Sequence, residues 1–185
     1  MKRIKSNTAR ISALALGLML TSAFVVLNHD RKIETPYSIK FDVRSTSGTF
    51  TGLKGTVSFS PDDLANSKIT AEVDVNTIET GNKTKNGHVK NEDWLNAAKF
   101  PVIKFTSTSF QKEADGYSVK GNLELHGVTK EINVPFKYIE AGNKGTFSGS
   151  FKINRSDYGV KGSGMKASFV GEEVEITFDI PTVKQ

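Results

Sequence analysis

The sequence contains no cysteine. That excludes a disulfide framework, a thiolate-bearing structural zinc site and a lipid-modified cysteine anchor. A fold exported from the cell would have to stand on its apolar core alone. Histidine is scarce, with His29, His88 and His126 far apart in the chain. None has a metal-ligand or triad partner at diagnostic spacing, so no metal site and no catalytic constellation is legible, and the chain reads as a non-enzyme. A charge excess is also missing once the first segment is set aside. The whole chain carries +5. Residues 1–23 hold Lys2, Arg3, Lys5 and Arg10 and no acidic residue, so without those four the balance falls from +5 to +1. No basic field remains to attract nucleic acid. The phosphate-loop spacing Gly-x-x-x-x-Gly-Lys-Ser/Thr is absent, and Gly162-Ser163-Gly164-Met165 reads as a connection instead.

What is present begins with a basic start followed by an apolar stretch, Ile11 to Leu27, with small residues at Thr21-Ser22-Ala23. This is the pattern of a secretory signal peptide. The stretch is also at the lower edge of membrane-spanning length, so an N-terminal membrane anchor in contact with the bilayer is the alternative. Residues 28–35 are polar and read as a tether. Residues 36–185 read as one domain, large enough at roughly 150 residues to build a sizeable core.

That domain is written almost wholly with a period of two. Tyr37, Ile39, Phe41 and Val43 alternate with polar neighbours, as do Ile69 to Val75, Tyr117 to Leu125, Ile132 to Tyr138 and Val174 to Ile180. Alternation at this spacing gives each strand one buried and one wet face. About eight such strands separated by Gly- and Asn-containing turns predict an all-β sandwich or barrel with antiparallel neighbours. Gly121 and Gly149 in inward rows favour a barrel, because small residues there permit strand bending and leave interior room. One stretch departs from the pattern. Val89, Trp94 and Leu95 can share a helix face, Asn86 or Asn91 can cap its start, and Pro101 stops it, so a short helix is expected near residues 86–98. It would act as a plug with Trp94 in the core, or as a lid over an apolar ligand.

Several ordered motifs carry a resemblance. His88-x-Lys90-x-x-Asp93-Trp94-Leu95-Asn96, Lys99-Phe100-Pro101 and Phe105-Thr106-Ser107-Thr108 resemble the YceI-like family, as do Gly121 to Lys130 (GNLELHGVTK), Phe151 to Val160 (FKINRSDYGV) and Val174-Glu175-Ile176. The likeness spans about residues 37–181. It implies an antiparallel eight-stranded lipocalin-like barrel, exported to the periplasm or cell envelope. It also implies an elongated apolar cavity for an isoprenoid chain, such as a polyprenyl compound or an isoprenoid quinone, bound as ligand rather than cofactor. Other amphiphiles, such as fatty acid amides, occur in the family, whose role is binding or transport. Two departures stand out: lysine replaces arginine at Lys90, and the first strand region, Tyr37 to Phe50, is short.

On this reading the candidate lining is Ile39, Phe41, Val57, Phe59, Val73, Val75, Trp94, Phe105, Val119, Leu123, Phe136, Phe151 and Ile153, with His88 and Lys90 near a ligand head group. Each lining position fits ordinary core packing as well. The competing function is an envelope or stress-related interaction protein whose barrel is filled by its own side chains. Either a single barrel or a homodimer fits the pattern.

Overall fold

The structure, a computed structural model, describes residues 29–44, 46–162 and 170–185. The leader or anchor expected over residues 1–27 and the connection over 163–165 lie outside the described residues. In chain order the strands are β1 (Asp30–Ile33), β2 (Ser38–Val43), β3 (Thr46–Phe50), β4 (Leu53–Ser58), β5 (Lys68–Asp74), β6 (Ile78–Glu79), β7 (Val102–Glu113), β8 (Gly116–Leu125), β9 (Val128–Ala141), β10 (Lys144–Asn154) and β11 (Glu173–Lys184). Among the described residues there is a single α-helix, α1 (Lys83–Lys90), between β6 and β7.

All pairings are antiparallel, and β1, β4, β5, β7, β8, β9, β10 and β11 close into a ring through the β1–β11 pairing. The eight-stranded barrel expected from alternation is therefore the fold. The remaining strands β2, β3 and β6 prolong three of its staves. β11 pairs with β1 at one end (Arg31↔Lys184) and with β2 at the other (Asp42↔Glu175). β3 pairs with β2 and with β6, as β4 pairs with β1 and β5. The short first strand region is thus a hairpin that extends the wall.

The polar stretch read as a tether contributes a strand to the barrel. Asp30 to Ile33 is β1, held on both sides by β4 and β11. Its key residue is Arg31, only 4% exposed. The guanidinium donates from Nε to Thr182 Oγ1 (3.0 Å), from one terminal nitrogen to Glu140 Oε1 (3.3 Å) and from the other to the Asn143 carbonyl (3.4 Å), and lies 5.3 Å from the Tyr138 ring centre. A charge-rich segment can close a barrel when every charge so buried finds partners.

The helix also shifts. Asn82 caps it, its side chain accepting from Lys85 N (3.1 Å), and Asn91 sits at its C-terminal cap. The expected span 86–98 was set by the spacing of Val89, Trp94 and Leu95, but residues beyond Asn91 are turns. Trp94 N donates to Asn91 O (3.0 Å), Leu95 N to Val89 O (3.0 Å) and Asn96 N to Asn91 O (2.9 Å). Asn96 adopts a left-handed φ of 46°, which no continuing α-helix permits.

The two ends of the barrel differ. One end carries the turns β7–β8 and β9–β10, the loop 59–67, the start of β1 and the end of β11. It is solid. Phe59, 1% exposed, is ringed by Phe110, Tyr117, Phe136, Tyr138 and Phe147, with centroids 4.9–5.7 Å away. Such aromatic pairs add about 0.5–1.5 kcal/mol each beyond their buried area. The other end carries the β2–β3 and β8–β9 turns, α1 and the described parts of the β10–β11 connection, and the described residues leave it unfilled.

Candidate functional site

The unfilled end encloses a cavity of about 750 Å³. Its wall is supplied by strand ends: Phe41 and Val43 from β2, Phe50 from β3, Ile78 from β6, Ile103 from β7, Leu125 from β8, Ile153 from β10, and Val174 and Ile176 from β11. Val160 and Val170 complete it from the β10–β11 connection. Polar groups gather on the roof side: Asn82, Thr84, Lys85, His88, Asn91 and Asp93, beside the apolar Val89, Trp94 and Leu95. This is the layout of a small-molecule site, an apolar pocket with a few polar groups at one place.

The roof is held by polar bonds more than by packing. The only buried side chain of α1 is Asn86, whose Oδ1 accepts from Thr80 N (2.8 Å) and Thr80 Oγ1 (2.7 Å). The adjacent Glu79 carboxyl accepts from Gly81 N (2.7 Å), and the Asn86 side chain, then that amide, hold it below the usual carboxylate range. The second half of the roof is anchored by Arg155, 7% exposed. It donates from Nε to Gly171 O (2.9 Å) and from its terminal nitrogens to Val160 O (2.6 Å) and Val170 O (3.2 Å), and its guanidinium lies 5.2 Å from the Trp94 ring. Trp94 also meets Gly162, where a Cβ would fall 2.6 Å from the ring. Gly162 N in turn donates to Asp93 O (2.8 Å). Trp94 thus meets both an arginine and a glycine, and it also packs against the cluster of Leu123, Leu125, Tyr158 and Val160.

The structure brings together only some of the residues that alternation picked out. Phe41, Trp94 and Ile153 line the cavity, and His88 is on its rim. Val57, Phe59, Val119 and Phe136 are buried in the solid end, with Phe105 and Phe151 packed against them. Leu123 belongs to a second cluster with Leu125, Tyr158 and Val160. Val75 is buried in the 3₁₀ turn Val75–Thr77, and Ile39 and Val73 are half-buried strand residues outside the wall. These positions differ from the cavity wall in depth: a period of two reports which face of a strand looks inward, not which end of the barrel it reaches. Lys90 is also off the wall, and its charge acts on Glu79 instead.

Alternation missed Val43, Phe50, Ile103, Leu125, Val174 and Ile176 as wall residues, although each sits in an inward row. It missed Arg155 too, whose only signal was the Asn154-Arg155-Ser156-Asp157-Tyr158-Gly159 motif. Elsewhere, His126 Nδ1 lies 3.2 Å from Tyr158 O and donates to it, and His29 Nε2 lies 3.5 Å from Asp63. Among the described residues no three His, Asp or Glu side chains gather as a metal cage, and no helix is long and apolar enough to cross a membrane.

Comparison with known proteins agrees with this architecture. The model of the YceI-like domain matches residues 31–182. A UPF0312 protein of Pseudomonas aeruginosa is 27% identical over 189 aligned residues, 95% of this chain and 97% of its own. The YceI protein of Salmonella arizonae is 31% identical over 144 residues, 75% of this chain and 74% of its own. Among crystal structures, BcnA of Burkholderia cenocepacia superposes with a TM-score of 0.76 at 27% identity, over 81% of this chain and 99% of that one. A polyisoprenoid-binding domain from Saccharophagus degradans, implicated in plant cell wall breakdown, gives 0.65 at 17% identity over 86% and 100%. At that identity the likeness speaks for the fold.

Proposed function

The chain belongs to the YceI-like family, and from that premise we propose that its barrel binds one long-chain apolar lipid of the isoprenoid class and carries it in the cell envelope. The observation that carries this reading is the cavity: about 750 Å³, walled by aliphatic and aromatic strand ends, with its polar groups gathered at the roof. That volume is within the usual range of ligand pockets. A chain lying there gains about 0.8 kcal/mol for each methylene removed from water, so ten carbons supply about 8 kcal/mol before ordering costs. Asn82, Thr84, Lys85 and His88 would receive the polar end. The binding domain of Saccharophagus degradans lends the ligand class by analogy of fold. The work of such a protein is sequestration and release, not bond making, and its place is the periplasm if residues 1–27 direct export. The filled-barrel alternative draws its support from the solid end.

The test is extraction. Protein purified from its native envelope is treated with organic solvent and the released lipid is weighed by mass spectrometry. A stoichiometric isoprenoid is the expected result. A clean extract from folded protein, together with no uptake of added polyprenol, would overturn the reading.

A further inference from the structure

Two interior glycines each receive a phenylalanine ring. At Gly121 a Cβ would collide with the ring of Phe105, whose Cε2 would be 2.6 Å away. At Gly149 a Cβ would fall 2.9 Å from Cζ of Phe178, its direct cross-strand partner. A Cβ would also meet backbone, Thr106 O at 2.6 Å from Gly121 and Pro135 O at 2.5 Å from Gly149, so neither position has room for a side chain while its ring stays in place. The rings sit at a defined depth. Phe105 is one inward position below the wall residue Ile103, and Phe178 one below Ile176. Phe105 packs against both apolar clusters, the one around the cavity and the one that fills the solid end. Phe178 packs against the solid end and lies 6.5 Å from Phe151, itself one position below Ile153.

We infer that Phe105 and Phe178, seated on Gly121 and Gly149, are the depth stop that fixes the length of chain the cavity accepts. The inference rests on the lipid reading above and adds a specificity it does not contain. Neither ring is part of the cavity wall itself; with Phe151 they form the layer directly beneath it, and the barrel continues past them, so this layer and not the height of the fold sets the limit. Interiors are close-packed, and removing a six-carbon ring therefore opens room for about one five-carbon isoprene unit. An added ring at Ile176, which already lines the cavity, works in the opposite sense.

The experiment uses a mixture of polyprenols differing by one isoprene unit, offered to the lipid-stripped protein and read as bound masses by native mass spectrometry. The native chain should show an upper length limit. Phe105→Ala and Phe178→Ala should each raise that limit by about one unit, and Ile176→Phe should lower it. Phe105→Leu and Phe178→Leu keep the interior apolar and give the same direction with a smaller step if an alanine variant fails to fold. Folded variants with the native limit, or a native chain that takes every length equally, would overturn the depth stop while leaving lipid binding intact. A native chain that takes up no polyprenol would overturn the lipid reading, and the depth stop with it.

Discussion

Tyr138 shows how much a single atom decides. Its ring packs edge-on to Phe59 and tilted against Phe147, but its buried hydroxyl has no hydrogen-bond partner among the described residues. Burial pushes the phenol up to about 12, against the pull of the nearby Arg31. The sign of the consequence follows from proton linkage. Above pH 10 the unfolded chain releases this proton while the folded chain keeps it, so stability falls as pH rises from about 10 to about 12. Tyr138→Phe should flatten that fall in alkaline urea titrations. Near neutral pH it should cost nothing, or stabilise by about 1 kcal/mol, because it removes an unsatisfied polar group and leaves the ring. Phe59 is the contrast. It is 1% exposed at the centre of five rings, and Phe59→Ala should lower the unfolding free energy by about 3–5 kcal/mol in denaturant titration.

At the scale of elements, α1 behaves unlike the strands around it. Its anchor is Asn86 bonded to Thr80, and its apolar contribution is Val89, which faces the cavity. An element with so little packing opens locally at a small fraction of the global stability. Asn86→Ala should therefore abolish amide-exchange protection over residues 83–90 while the barrel strands stay protected and the melting temperature moves by only a few degrees. Trp94 reports on the same roof. It is the sole tryptophan, it lines the cavity and it meets Arg155 and Gly162. Its emission should shift to shorter wavelength when a polyprenol displaces water beside it; a flat titration with bound lipid proven by mass would place the chain away from the roof.

For the whole molecule, the sequence carried the class of fold clearly and the site incompletely. Strict alternation from Tyr37 to Ile180 left little besides antiparallel β structure, and inward glycines at 121 and 149 pointed to a barrel. The division into a solid half and an empty half was invisible, because Val57 and Val43 look alike in a pattern of period two. One is core and the other is cavity wall. The polar run 28–35 read as a tether because the partners that settle Arg31, namely Thr182, Glu140 and the Asn143 carbonyl, are more than a hundred residues away.

The start of β1 and the end of β11 both leave from the solid end, with Arg31 opposite Lys184. β10, with eleven residues at about 3.4 Å each and a tilt near 40°, puts the roof roughly 30 Å from that face. The barrel is in this respect a cup standing on its own stem. Whatever lies beyond Asp30 or Lys184 joins the fold at its base, on the side away from the roof. A molecule entering at the rim would therefore approach from the side opposite to that on which both strands leave the barrel.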